Sequence, residues 1–372
     1  MKFSVVGNNP AAMDVIREIH ASREDDFGPF HLAGELAALV AASSIPIHLE
    51  DSAEAAILAN GVDAVILAVQ DTEEILSLTR SATQSDRHVI VVLPNDVSTA
   101  FSFELHLLLD ECQMAVIPLS GRTRFAELPT ESPKHLVNTS DLFQVSQETV
   151  IPASQLPGLR SIQAAIVDML SSTGIRFTQV TAVEANAPSG QLISRSLTFA
   201  ASATAEQAVP PATILIRVVP QTEDGSWQAA PLKLMYSNGT FAELTPGEPR
   251  ALARIRYLCK NREQCSHWIE EFSTTMELCD GIDKSLRRKR TVDVYFDSGS
   301  ERGVFKGMMT AIGCGVLLWT LFGMVVFLIV AKLTSLPGTA LEVIRILWIA
   351  PLILFLVAQF LLPLARDRST RG

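Results

Sequence analysis

Residues 61–94, GVDAVILAVQDTEEILSLTRSATQSDRHVIVVLP, decide the fold. Val62–Val69 is an apolar run rich in β-branched side chains, interrupted only by Asp63, and His88–Leu93 is a second that opens on His88. A strand with no polar alternation is covered on both faces, the condition inside a parallel sheet flanked by helices. Glu73–Thr83 between them reads as a helix, giving strand, helix and strand. Working toward the N-terminus, Phe3–Val6 is a short strand ending at Gly7. It precedes a helix over Ala11–Ile19 with Ala12, Val15, Ile16 and Ile19 at helical spacing. Phe30–Ala33 and Ile45–Leu49 are further strands, on either side of an Ala- and Leu-rich helix over Glu35–Ala42. Toward the C-terminus, a helix over Val97–Cys112 leads to a strand at Met114–Pro118. Strands and helices alternate through residue 120, so residues 1–125 are expected to form a doubly wound parallel sheet of the α/β class.

Past Phe125 the composition changes. Pro129, Ser132 and Pro133 mark a linker, and Gly158–Ser172 is a helix. Strand candidates then follow at Thr178–Glu184, Ser194–Ala200, Thr213–Val219, Leu232–Tyr236 and Thr291–Phe296. Hairpin turns are expected at Glu223-Asp224-Gly225 and Asn238-Gly239. Residues 126–300 therefore read as an α+β domain, an antiparallel sheet with helices on one face. A closing helix over Cys265–Leu286 sets Trp268, Phe272, Met276 and Cys279 on one core-facing stripe.

Charge and hydropathy divide the chain again. Residues 1–306 hold 38 acidic and 25 basic side chains, and the remainder 2 and 5. With a formal charge of -10, the chain has no broad basic face for nucleic acid. Residues 307–331 and 346–365 carry no charge, and each is long enough to cross a bilayer. Pro337 and Gly338 turn between them, so residues 301–366 are expected to form a two-helix transmembrane hairpin, with the lipid bilayer as partner. Arg302, Lys306, Arg366, Arg368 and Arg371 flank the hairpin, which places the large N-terminal part and the basic tail 367–372 in the cytoplasm, at the cytoplasmic membrane. MKFSVVGNNPAAMDV has no apolar core of a signal peptide. The run Arg287-Arg288-Lys289-Arg290 is either a solvated helix end or a contact for anionic headgroups.

Chemistry-bearing motifs are sparse. The five cysteines are odd in number and irregularly spaced, so a disulfide framework is not expected. Cys259 and Cys265 with His267 are the one candidate metal set, set against plain packed thiols, and no metal site is assigned. There is no nucleophile elbow and no Walker loop.

The order of elements over residues 1–300 resembles the Gfo/Idh/MocA family of NAD(P)-dependent oxidoreductases, which join a Rossmann domain to an open-sheet domain. The resemblance is carried by residues 61–94, whose second strand ends where the family has Glu-Lys-Pro, and by MELCDGIDKSLRRKRTVDV (276–294). It implies NAD or NADP as cofactor, with Gly7, Asn8, Asn9, Glu35, Ala68 and Pro94 lining the cofactor crevice. The family's G-x-G-x-x-(G/A) loop is here Gly7-Asn8-Asn9-Pro10-Ala11-Ala12. Asn9 thus brings a side chain where the second glycine admits a phosphate, and Pro10 removes an amide. Glu35 stands for the ribose-binding acid or is an ordinary helix-surface glutamate.

The catalytic pattern departs further. Glu-Lys-Pro is matched by Val92-Leu93-Pro94, and D-x-G-x-H by Ser161, Gln163 and Ala165 ahead of a retained Asp168. Leucine carries no proton, so no catalytic residue is assigned. The expectation is a membrane-anchored pseudo-oxidoreductase that binds a nucleotide or a sugar-like ligand, or acts as a scaffold. One alternative is an active NAD(P)-dependent oxidoreductase on a sugar or polyol derivative, with His135, His267 or Arg124 recruited for catalysis. Another is a structural partner in a membrane complex. The resemblance also implies a homo-oligomer through the second-domain sheet.

Overall fold

The computed structural model describes residues 1–120, 142–171, 173, 175–200, 210–220, 230–244, 251–294 and six positions between 315 and 325. Met1–Phe296 form one compact unit and Asp297–Gly372 a second.

The first sheet contains β1 (Lys2–Gly7), β2 (Asp26–Leu32), β3 (His48–Leu49), β4 (Ala64–Ala68), β5 (His88–Val92) and β6 (Val116–Leu119). All pairs are parallel, in the order β3-β2-β1-β4-β5-β6. Every residue of β4 is buried, as its unbroken apolar run requires. The crossovers are α1 (Met13–Ala21), α2 (Gly34–Ala42), α3 (Ala53–Leu58), α4 (Thr72–Gln84) and α5 (Thr99–Glu111). Ser52, Asp71 and Ser98 each accept an amide of the following first turn, so the starts of α3, α4 and α5 are fixed locally. The strand order reverses between β1 and β4, which opens a crevice outside their carboxyl ends.

The second sheet corrects the expectation of an antiparallel one: it is mixed. Its strands are β7 (Leu142–Pro152), β8 (Gln179–Asn186), β9 (Leu192–Ala200), β10 (Ala212–Val219), β11 (Leu232–Tyr236), β12 (Phe241–Leu244) and β13 (Val292–Asp293). They lie in the order β12-β11-β7-β10-β9-β8-β13, and β7 and β10 run parallel, from Ala212 beside Val145 to Val219 beside Pro152. The cause is β7, which falls between the expected linker and the Gly158–Ser172 helix, where no strand is expected, and inserts between β11 and β10. Its buried positions include Gln147 and Thr149, which break the apolar alternation that marks a strand. The expected linker residues at 129–133, like the turn at Glu223–Gly225, lie outside the described residues.

Three helices accompany this sheet: α6 (Leu159–Ser171), α7 (Ala251–Lys260) and α8 (Glu263–Arg288). The predicted stripe of α8 is buried, Trp268, Phe272, Met276 and Cys279 included. α8 also ties the two sheets together, because the Trp268 indole donates to Pro118 O at 2.9 Å and Arg262 donates to Leu109 O and Cys112 O at 2.5 and 2.6 Å. A second tie is the Glu18 carboxylate, which accepts from the Ala251 and Leu252 amides at the start of α7. Burial raises the pKa of that carboxyl. In a third, Arg256 pairs with the buried Asp25 and with Glu24. Burial pushes Asp25 up, but its bonds to Arg256, Ser22 and the Met1 amino group prevail and hold it below the usual carboxylate range.

The expected spans 307–331 and 346–365 lie outside the described residues, apart from six helical positions. Among the described residues no helix is long and apolar enough to cross a membrane.

Candidate functional site

The crevice begins at Gly7, the last residue of β1, whose φ is +136°. A Cβ there would stand 2.1 Å from Ala68 O and 2.8 Å from Val69 N, so only glycine allows β1 and β4 to meet this closely. The Ala68 carbonyl uses that closeness to accept from both Asn8 N and Asn9 N, each at 2.7 Å. The chain then makes a 3₁₀ turn over Pro10–Ala12 that leads into α1.

Asn9 is buried, and its side chain does not project toward the space a phosphate would take. Its Oδ1 accepts from Ala11 N at 3.1 Å, and its Nδ2 donates to Leu93 O at 3.0 Å, across to the end of β5. Ala12 N donates to Asn9 O and Met13 N to Pro10 O. Gly34, with φ +56°, opens α2, and a Cβ on it would lie 3.7 Å from the Asn8 Cβ. Glu35 follows in the exposed first turn of that helix. The structure thus brings Gly7, Asn8, Asn9 and Ala68 into one loop and sets Gly34 and Glu35 at its flank. Pro94 is buried next to Leu93 at the end of β5.

The other wall comes from the start of α6. The Asn95 amide donates to the Gln70 side chain at 2.9 Å, and Asn95 Oδ1 lies 3.0 Å from where a Cβ on Gly158 would sit. Ser161 donates to Gly158 O. Among the described residues, the side chains brought together here are the neutral ones of Gln70, Asn95 and Ser161. The retained acid Asp168 is elsewhere, buried between α6 and α8 and bonded by Thr275 Oγ1 at 3.2 Å. Of the alternative catalytic groups, His267 lies on α8, 3.4 Å from Glu271, while Arg124 and His135 lie outside the described residues.

Sequence reading missed the network beneath this wall. Arg160 on α6 pairs with Asp280 and Asp283 of α8 and donates to Val97 O at 2.5 Å, and Thr99 Oγ1 donates to Asp280 Oδ2 at 2.5 Å. Burial raises the Asp283 pKa, with Arg160 acting against it. Arg160 is the residue before Ser161, yet its partners are about 120 positions away, a pairing with no local signal. Beside it, Glu184, Arg195, Asp280, Asp283 and Arg287 line a cleft of about 520 Å³. Burial pushes the Cys259, Cys265 and Cys279 thiols each up to about 12. Among the described residues no group of side chains is arranged to hold a metal ion.

No protein-family model and no curated protein matches the chain. Solved structures do. A putative myo-inositol dehydrogenase from Sinorhizobium meliloti 1021 is similar at TM-score 0.57 and 13% identity, over 79% of this chain and 100% of that one. The scyllo-inositol dehydrogenase from Lactobacillus casei, solved with bound NAD(H) and scyllo-inositol, is similar at 0.57 and 11%, over 79% and 98%. A biliverdin reductase from Synechocystis sp. PCC 6803, in complex with biliverdin and NADP+, is similar at 0.52 and 13%, over 77% and 99%. The chain therefore shares the fold of these solved structures, a parallel Rossmann-type sheet followed by a second, mixed sheet. Measured against such a cofactor, the crevice is a partial fit. Glu35 is exposed in the first turn of α2, and the backbone amides at the start of α1 are already bonded.

Proposed function

We propose that this chain is a pseudo-oxidoreductase, a dehydrogenase fold that binds or scaffolds without transferring hydride. The observation that carries the reading is the composition of the crevice wall. By the resemblance, Leu93 falls at the family's lysine and Ser161 and Ala165 at its carboxylate and imidazole, and Asp168 is buried and bonded by Thr275. Without a group that gives or takes a proton, alcohol oxidation lacks its general base. The test is reduction of NAD+ and NADP+ by the purified full-length chain in the presence of inositols and other polyols. No substrate-dependent reduction is expected, and turnover above the background without enzyme would refute the reading.

In the same proposal, the two C-terminal spans hold the folded unit at the cytoplasmic face of the membrane. Leu318, Trp319, Phe322 and Val325 support it: they are helical, apolar and well exposed, a surface suited to lipid. Truncation after residue 300 should move the protein from the membrane fraction to the supernatant.

One face of the second sheet favours a partner of the same chain. Ser146, Thr213, Thr198 and Thr181 form one cross-strand row and Glu148, Leu215, Ser196 and Val183 the next, a face that is partly small and polar and carries the exposed Arg217–Glu148 ion pair. Light scattering on the detergent-solubilised chain should report a dimer or higher oligomer. Conversion to monomer by Thr198→Arg would locate the contact on this face.

A further inference from the structure

We infer that Asn9 latches the turn between β1 and α1 shut, so that a diphosphate finds no free backbone amide at the start of α1. The start of a helix following a strand attracts phosphate because its first amides have no intrahelical partner. Here none from Asn8 to Met13 is left over. Asn8 N and Asn9 N share the Ala68 carbonyl, Pro10 has no N–H, and Ala11 N is capped by the Asn9 side chain. Ala12 N and Met13 N are bonded to Asn9 O and Pro10 O.

The latch has two anchors. Asn9 Oδ1 caps the turn while Nδ2 holds Leu93 O, so the same side chain that removes a donor pins the loop to the end of β5. Because Asn9 is buried and both its ends are bonded, admitting an anion would require this residue to leave its place and break both bonds. The inference concerns the crevice of the proposed function, yet it stands apart from it. A chain that binds NADH without turnover would sink the latch and leave the pseudo-oxidoreductase reading intact.

The experiment is a titration of the full-length protein in detergent with NADH and with NADPH. It follows cofactor fluorescence and thermal stability, since a ligand specific for the folded state stabilises it. The same titration is run on Asn9→Gly/Pro10→Ala, which restores two amides, and on Asn9→Ala, which frees Ala11 N alone and serves if the double variant does not fold. The wild-type chain is expected not to saturate at about millimolar cofactor, and each opened variant to bind at least about tenfold tighter. Micromolar binding by the wild type overturns the inference. So does a folded variant with no gain, because something other than the latch would then exclude the cofactor.

Discussion

Replacing Arg160 by methionine tests how much the charge network at the crevice wall contributes to the fold. Methionine keeps the aliphatic bulk of the arginine and removes its guanidinium. The substitution deletes a bond to Val97 O and both ion pairs, and it leaves Asp280 and Asp283 facing each other one turn apart on α8. Losing one partner of a buried ion pair costs about 3–5 kcal/mol. Both aspartates keep about a third of their side-chain surface, so solvent screening reduces this to about 2–4 kcal/mol. For a unit of this size that is a drop of about 5–10 °C in Tm. The pH dependence follows from Asp283, which burial already raises. A carboxyl raised in the folded state contributes stability at low pH that is lost as pH rises through its folded pKa. Without Arg160 it rises further, so the variant's deficit should widen between about pH 4 and pH 7. Adding Asp283→Asn should recover part of the loss. Thermal and urea unfolding of both variants across that range is the assay. A deficit under about 1 kcal/mol, or one independent of pH, would show that the network does not stabilise the fold as argued.

Gly7→Ala should destabilise by about 3–5 kcal/mol or prevent folding, because its Cβ would overlap Ala68 O; near-native Tm would contradict the tight β1–β4 contact. Arg256→Met should cost about 2–4 kcal/mol, since Asp25 is left buried with its main partner gone. In the wild type the depressed Asp25 contributes stability above its ordinary pKa that disappears as pH falls through the folded value, so acid unfolding below about pH 4 should be shallower in the variant. Cys259, Cys265 and Cys279 should resist a thiol reagent at about pH 8 until the protein unfolds, and rapid native labelling would show them exposed.

What was legible in the sequence follows from how each signal is encoded. The first sheet could be read because Val62–Val69 and His88–Leu93 are buried on both faces, so composition alone identifies them. β7 could not, since Gln147 and Thr149 take core positions and Gln147 Nε2 donates to Ala230 O at 2.6 Å, a partner 83 residues away. The parallel β7–β10 pair was lost with it. At the site, Gly7 and Pro10 were legible because glycine and proline act through their own backbones. The direction of the Asn9 side chain was not, because it is set by Leu93 O, 84 positions on.

That last point bears on what the crevice has become. A site awaiting a ligand keeps polar groups in reserve, and its local rules are broken at a cost in stability. Around Gly7 and Asn9 the opposite holds. The 3₁₀ turn is capped by its own Asn9, the only imino residue occupies the start of the turn where no amide is needed, and Gly7 lets one carbonyl serve two donors. Each satisfied amide adds about 0.5–1.5 kcal/mol to the fold that a cofactor would otherwise have to supply. Asn9→Ala should therefore lower the stability of the free protein by about 1 kcal/mol while freeing the Ala11 amide. A variant equal to wild type in unfolding free energy would mean that the cap adds nothing to the fold, and stability could no longer explain a loop with no donors in reserve.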